Sequence, residues 1–318
     1  MSKLFQISMI VAIVLTLPVL VGSLVQLLMI SPAAAWANIG IAIFYIGVVV
    51  TLLRFTPLWP RWQGARGHTG VWWVLCALLW GGSVAPALVF AGGLSNTDLA
   101  LTLNWEDSIM SFGGAWPEEP TKAIGVLFVL LAFRRLHRPW HGFVVGMIVG
   151  LGFETVENVL YGSMGAMYHA ESDLYGMLEM WGLRMVYGPF LHIAMTGIAG
   201  WGIGLALFVA VRSLWWRLRV FALYFGVAFL AHFIWNYLPE SSMVHNFTLG
   251  TAAVLLYGTW LFVWVRAWQM MRADHGYVFT QGALTSLAEL PALPAPKLEP
   301  ELQMPNALEA ATGSSTSV

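Results

Sequence analysis

The residues of this chain that could do chemistry are glutamates and histidines set inside otherwise apolar stretches. They fall in Glu118-Glu119-Pro120-Thr121-Lys122, in Phe153-Glu154-Thr155-Val156-Glu157-Asn158, at His192, and in His232-Phe233-Ile234-Trp235-Asn236. Ionisable groups in hydrocarbon are costly, and by default they mark a functional site or a structural pair. Glu154 and Glu157 fall on one face of a helix, and two buried carboxylates there require a partner or a proton. His232 and Asn236 lie one turn apart, and His192, Thr196 and Gly200 recur at helical spacing along one stripe. Pro117 and Pro120 bracket Glu118 and Glu119 at what reads as a helix start, where a missing N–H costs nothing and carboxylates are favoured. Lys122 follows one turn later on a neighbouring face.

His, Glu and Asn side chains can ligate a divalent metal, and three protein ligands plus a water is the usual catalytic zinc arrangement. Such an ion makes water acidic near neutral pH, and a nearby carboxylate can take the proton. Other chemistries fare worse. Cys76 is the only cysteine and sits in an apolar run without a histidine or an acid, and no apolar stretch pairs a serine with a histidine. There is no phosphate-binding glycine loop and no basic nucleic-acid patch. Metal-assisted hydrolysis and activation of water by a carboxylate pair are the two mechanisms left.

The elements that must position these groups are membrane-spanning helices. Of 318 residues, 58 % are hydrophobic and 10 % charged, against about 25 % charged in a soluble domain. The chain also carries 17 Trp and 9 Tyr, suited to interfacial belts. The apolar runs match the roughly 20 residues that cross a bilayer core. They predict an all-α polytopic bundle of about eight spans, near 5–30, 35–53, 71–91, 117–133, 142–163, 183–211, 220–238 and 247–271. The first run is too long for a signal-peptide core and reads as a retained helix. Gly142, Gly146, Gly150 and Gly152 fall within a span and read as close-packing positions.

Arg54, Arg61, Arg66, Arg134, Arg135, Arg138, Arg212, Arg217, Arg219, Arg266 and Arg272 all fall at alternate span ends, and the remaining loops carry Asp and Glu instead. The positive-inside rule then places both termini in the cytoplasm. On that topology Glu118 and Glu119 stand at the outer boundary. Glu157 lies roughly 9 Å below it, His192 roughly 13 Å and His232 roughly 9 Å, at 1.5 Å per residue. Helices running in opposite directions would scatter unrelated residues over both leaflets, yet these share one layer. Residues 1–70 read as two spans and a basic loop, 71–272 as the site-bearing core, and 273–318 as a Pro-, Ala-, Ser- and Glu-rich disordered tail.

Glu118-Glu119-x-x-Lys122, Phe153-x-x-x-Glu157-Asn158 and His232-x-x-Trp235-Asn236 resemble, in order, three motifs of the PrsW family of intramembrane proteases. His192 with Thr196 and Gly200 resembles a further family stretch, and the resemblance covers roughly residues 70–240. More distantly the pattern is similar to the CAAX prenyl endopeptidases and the scaffold subunit of gamma-secretase. There a histidine stands where this chain has Glu157, and the first motif ends in Arg one residue later, which argues against prenyl-protein processing. The resemblance implies an endopeptidase of the bacterial inner membrane. It would cut a single-pass membrane protein near the outer face, as in anti-sigma-factor release. It also implies Glu118 and Glu119 as water-activating carboxylates. Glu157, His192, His232 and Asn236 would bind a metal, with zinc expected, or polarise the scissile carbonyl. Lys122, Phe153, Arg184 and Trp235 are then supporting residues.

Two other readings compete. In a non-catalytic membrane scaffold the same Glu and His residues would be interhelical polar glue. A proton-coupled transporter would need polar residues continuing toward the cytoplasmic side, and spans 5 to 7 offer few.

Overall fold

A computed structural model describes residues 3–60, 69–274 and 279–280. It consists of helices: α1 (Lys3–Ile30), α2 (Pro32–Phe55), α3 (Thr69–Leu79), α4 (Ala85–Thr102), α5 (Ile109–Gly113), α6 (Ala115–Ala132), α7 (Pro139–Tyr168), α8 (Asp173–Tyr187), α9 (Leu191–Phe208), α10 (Leu214–Trp235) and α11 (Ser242–Arg272). A wide turn of π geometry, Trp80–Val84, joins α3 to α4 within one long rod. Among the described residues the only β pairing is an isolated bridge between Val209 and Phe279. Arg61, Arg66 and nearly all of the tail expected over 273–318 lie outside the described residues.

Among the described residues, seven helical stretches are long and apolar enough to cross a membrane: Lys3–Ile30, Pro32–Phe55, Val71–Thr102, Pro139–Tyr168, Leu191–Phe208, Leu214–Trp235 and Ser242–Arg272. The eighth expected span is α6. Its 18 residues span about 27 Å, but Glu118, Glu119 and Lys122 crowd its first turns. The large apolar side chains of α1, α2 and α10 are widely exposed, as a lipid-facing surface requires.

Two expectations need correction. The expected span 183–211 is two helices, broken at Gly188-Pro189-Phe190. Pro189 supplies no N–H for the helix ladder, and Phe190 sits in the left-handed region at φ 58°. His192 is therefore in the first turn of α9 rather than deep within a longer helix, and Arg184 belongs to the separate helix α8. The expected outer loop 92–116 is also largely helical: α4 runs on to Thr102, and Glu106–Ser108 and α5 follow.

Helix α7 is the hub, buried along most of its length and packed on α2, α3, α6, α8, α9 and α11. Its closest neighbour is α9. A Cβ added at Gly142, Gly146 or Gly150 would fall onto the carbonyl oxygen of Gly200, Thr196 or His192 respectively. Hydrocarbon gives helices no hydrophobic reason to associate, so backbone contact through small residues supplies the packing. This seam fixes the height of α9 against α7, and so the height of His192 against Glu154 and Glu157. Gly146→Ala should lower stability in detergent unfolding by about 1–3 kcal/mol through overpacking. Gly226→Ala, where a Cβ meets nothing within 4 Å, should change it by less than about 0.5 kcal/mol. Equal effects at the two positions would show that the seam does not carry the packing.

Candidate active site

The layer of polar residues is assembled from five helices at one end of the bundle. Arg134, Arg135, Arg138, Arg212, Arg217, Arg219 and Arg272 sit at the other end, by the directions of the helices that lead to them. The start of α6 contributes Glu118, Glu119 and Lys122. The second half of α7 contributes Glu154, Glu157 and Asn158, α8 contributes Arg184, the first turn of α9 His192, and the last turn of α10 His232 and Asn236. Lys122 is 0 % exposed, Glu119 and His192 1 %, and His232 2 %.

Charges buried this deeply must answer one another, and they do. Lys122 Nζ lies 2.7 Å from Glu119 Oε1 and 3.3 Å from Glu118 Oε2. It also donates to His192 Nδ1 at 2.9 Å and sits 4.4 Å from the centre of the Phe153 ring. His192 Nε2 is 2.7 Å from Glu157 Oε2. A carboxylate accepts only, so Nε2 carries the proton and Nδ1 keeps its lone pair. His232 is arranged the same way in reverse: Nδ1 lies 2.8 Å from Glu119 Oε1, and Nε2 faces Asn236 Nδ2 at 3.2 Å. Each imidazole is thus oriented by a carboxylate behind it, the pairing that prepares a histidine for a metal.

Arg184 closes the back of the site. It pairs with Glu157, donates to Asn158 Oδ1, and lies 4.6 Å from the centre of the Tyr161 ring. A roof comes from the segment before α6. Ser111 Oγ donates to the Phe233 carbonyl at 2.7 Å, Asn236 Nδ2 to that of Met110 at 3.4 Å, and Leu238 N–H to that of Asp107 at 2.9 Å. Trp105, Phe112, Phe233 and Tyr237 cluster around these bonds. Below the roof is a cavity of about 470 Å³, a size typical of ligand pockets. Glu118, Glu157, Arg184, His192, His232, Trp235 and Asn236 reach it from one side, and Val89, Phe90, Ile109 and Met110 make an apolar wall.

One ligand atom each from Glu118, Glu119, His192 and His232 lies within 4.8 Å of the others. Two nitrogens and two carboxylate oxygens are a donor set that zinc accepts. Two details favour a cation here. Glu118 Oε2 stands 3.7 Å from His192 Nδ1 and 3.8 Å from His232 Nε2, so acceptor atoms converge, and an ion there would take His192 Nδ1 over from Lys122. Glu119 Oε2 is buried without a hydrogen-bond partner. The donor set fits a divalent ion, with the ammonium of Lys122 beside it as a second cation. Of the residues expected as ligands, His192 and His232 belong to this group. Glu157 and Asn236 stand one bond further out, each against one of the two histidines.

Phe153 packs edge-on against His192 at 5.0 Å between centroids, and Trp235 lines the cavity. Glu154, Asn158, Tyr161 and Tyr45 also belong to the network and carried no assigned role. A polar side chain at the centre of an apolar span was the available signal for Tyr45.

A bundle of apolar helices that buries carboxylates, imidazoles and an ammonium beside a cavity is suited to hydrolysis within a membrane. The sequence model described as PrsW family intramembrane metalloprotease matches residues 69–274. The chain belongs to that family and is an intramembrane protease. Neither the curated proteins nor the solved structures compared with it include a match.

Lys122→Met should strip Glu118 and Glu119 of their countercharge and lower stability by about 3–5 kcal/mol, the usual cost of leaving a buried charge unpaired. Denaturant unfolding of the purified protein in detergent measures this. Unchanged stability would mean that the two carboxylates do not depend on Lys122.

Proposed function

We propose that this protein cleaves a single-pass membrane protein, of the anti-sigma-factor kind, near the outer face of a bacterial cell membrane. The observation that carries this reading is the convergence of Glu118, Glu119, His192 and His232 within 4.8 Å beside the cavity. The positive-inside distribution of arginines supports the outward placement of that end. A cavity with one apolar wall suits an unwound stretch of a substrate helix, whose side chains are apolar.

His192, His232 and Glu119, with its unpartnered oxygen, would hold the ion, and zinc matches the two-nitrogen, carboxylate set. Bound there, zinc supplies Lewis acidity, which acidifies water and polarises a carbonyl. Glu118 is the member of the glutamate pair that lines the cavity. It takes a proton from the attacking water and returns it to the leaving amide nitrogen. Asn236 Nδ2 donates to the scissile carbonyl oxygen as charge builds there. Glu157 holds the tautomer of His192, and Arg184 pairs with Glu157 from behind.

One observation favours a second mechanism for the same activity. Lys122 already supplies a positive charge to Glu118, Glu119 and His192, so the glutamate pair could activate water without an ion. Elemental analysis of the purified protein separates the two. Metal catalysis predicts about one equivalent of zinc, lost in His232→Ala. A metal-free glutamate mechanism predicts none in either protein.

For the activity itself, membranes from cells with and without the protein are compared for a new cleavage product. Glu118→Gln and His232→Ala should each reduce that product at least about 100-fold while leaving the protein folded in the membrane. Normal cleavage by both variants would remove these residues from the reaction.

A further inference from the structure

Helix α9 begins without a cap of its own. Phe190, the residue before it, is left-handed, and its side chain makes no hydrogen bond to the first turn. The leading N–H groups are answered from another helix. Glu154 Oε2 on α7 accepts from His192 N–H at 2.9 Å and from Ile193 N–H at 3.3 Å. Glu154 Oε1 accepts from the Tyr45 hydroxyl of α2 at 2.6 Å. Tyr45 is itself clamped, with its ring stacked on Phe190 at 6.3 Å and edge-on to Trp181 at 6.1 Å between centroids. Glu154 and Glu157, one turn apart on α7, therefore both hold His192: the first by its backbone, the second by its ring.

We propose that Tyr45 and Glu154 are positioning residues for the proteolytic site. Glu154 caps α9 from outside the helix, Tyr45 fixes Glu154, and together they aim the His192 imidazole at the other donors. Neither residue lines the cavity, so both act only through His192. Tyr45 lies outside the family-matched residues 69–274. The second helix is thus part of the site's scaffold rather than an added anchor. The proposal rests on His192 being a site residue, as argued above.

The test uses the full chain in detergent, with amide hydrogen exchange over residues 191–195 and zinc affinity by chelator competition. Tyr45→Phe removes only the hydroxyl. Exchange at His192 and Ile193 should quicken about tenfold and zinc affinity should fall about tenfold, while the chain stays folded and unfolds in one cooperative transition. The d–d spectrum of the cobalt-substituted protein should shift. Glu154→Gln keeps an oxygen for the two N–H groups and should bind zinc within about threefold of the unaltered chain, whereas Glu154→Leu should lose about 100-fold.

Thr16→Val is the control. It removes an interhelical hydrogen bond that touches neither Tyr45 nor its clamp, between Thr16 of α1 and Ser83 at 2.8 Å, and should leave zinc affinity unaltered. The proposal is overturned if Tyr45→Phe matches the unaltered chain in exchange and affinity, or if Thr16→Val reproduces its losses. A chain that binds no zinc at all would sink the metal mechanism, and exchange at His192 would then decide the cap by itself.

Discussion

A charge in hydrocarbon must be answered by another group, and this constraint organises the whole bundle. Three buried carboxylates are answered from helices other than their own. Glu119 meets Lys122 on α6 but also His232 on α10. Glu157 meets His192 on α9 and Arg184 on α8. Glu154 meets Tyr45 on α2 and the backbone of α9. Moving any one of these helices would strand an ion in a low-dielectric interior, where the surviving partner bears the desolvation cost. The network that provides chemistry is thus also what specifies the packing of six helices.

Polar pairing sets which helices meet, and small residues set how closely. Lipid competes with apolar side chains on equal terms, so helix association depends on backbone approach. The Gly142, Gly146 and Gly150 seam lets α7 and α9 touch along their carbonyls. Larger side chains there would lift α9 away, and the hydrogen bonds from Glu154 and Glu157 to His192 would lengthen together. The site's geometry depends on glycines up to three turns distant from it.

Much of this was legible because an ionisable residue inside an apolar run is rare enough to be informative. The shared layer of Glu118, Glu119, Glu157 and His232 followed from counting rises along alternating helices, whereas the count for His192 ran through a break in its span. The break at Gly188-Pro189-Phe190 was hidden because hydropathy runs almost evenly across it, although Pro189 was the available clue. Spacing placed Lys122 beside Glu118 and Glu119, but it could not show a third contact with His192 on another helix. Tyr45 was less visible still. Its hydroxyl matters only because α2 happens to pack where α9 lacks a cap, and such a fact belongs to the tertiary arrangement.

The paired glutamates show how one helix can divide two tasks between adjacent residues. Successive side chains on a helix point about 100° apart. On α6 this turns Glu118 toward the cavity and Glu119 into the bundle, against Lys122 and His232. Glu119 is fixed by an ammonium at 2.7 Å and an imidazole at 2.8 Å. Glu118 reaches the cavity with a longer contact to the same ammonium, at 3.3 Å. Helical geometry therefore suits Glu119 to holding and Glu118 to the proton transfer proposed for it. The prolines that flank them keep the first turn of α6 in place while both tasks proceed.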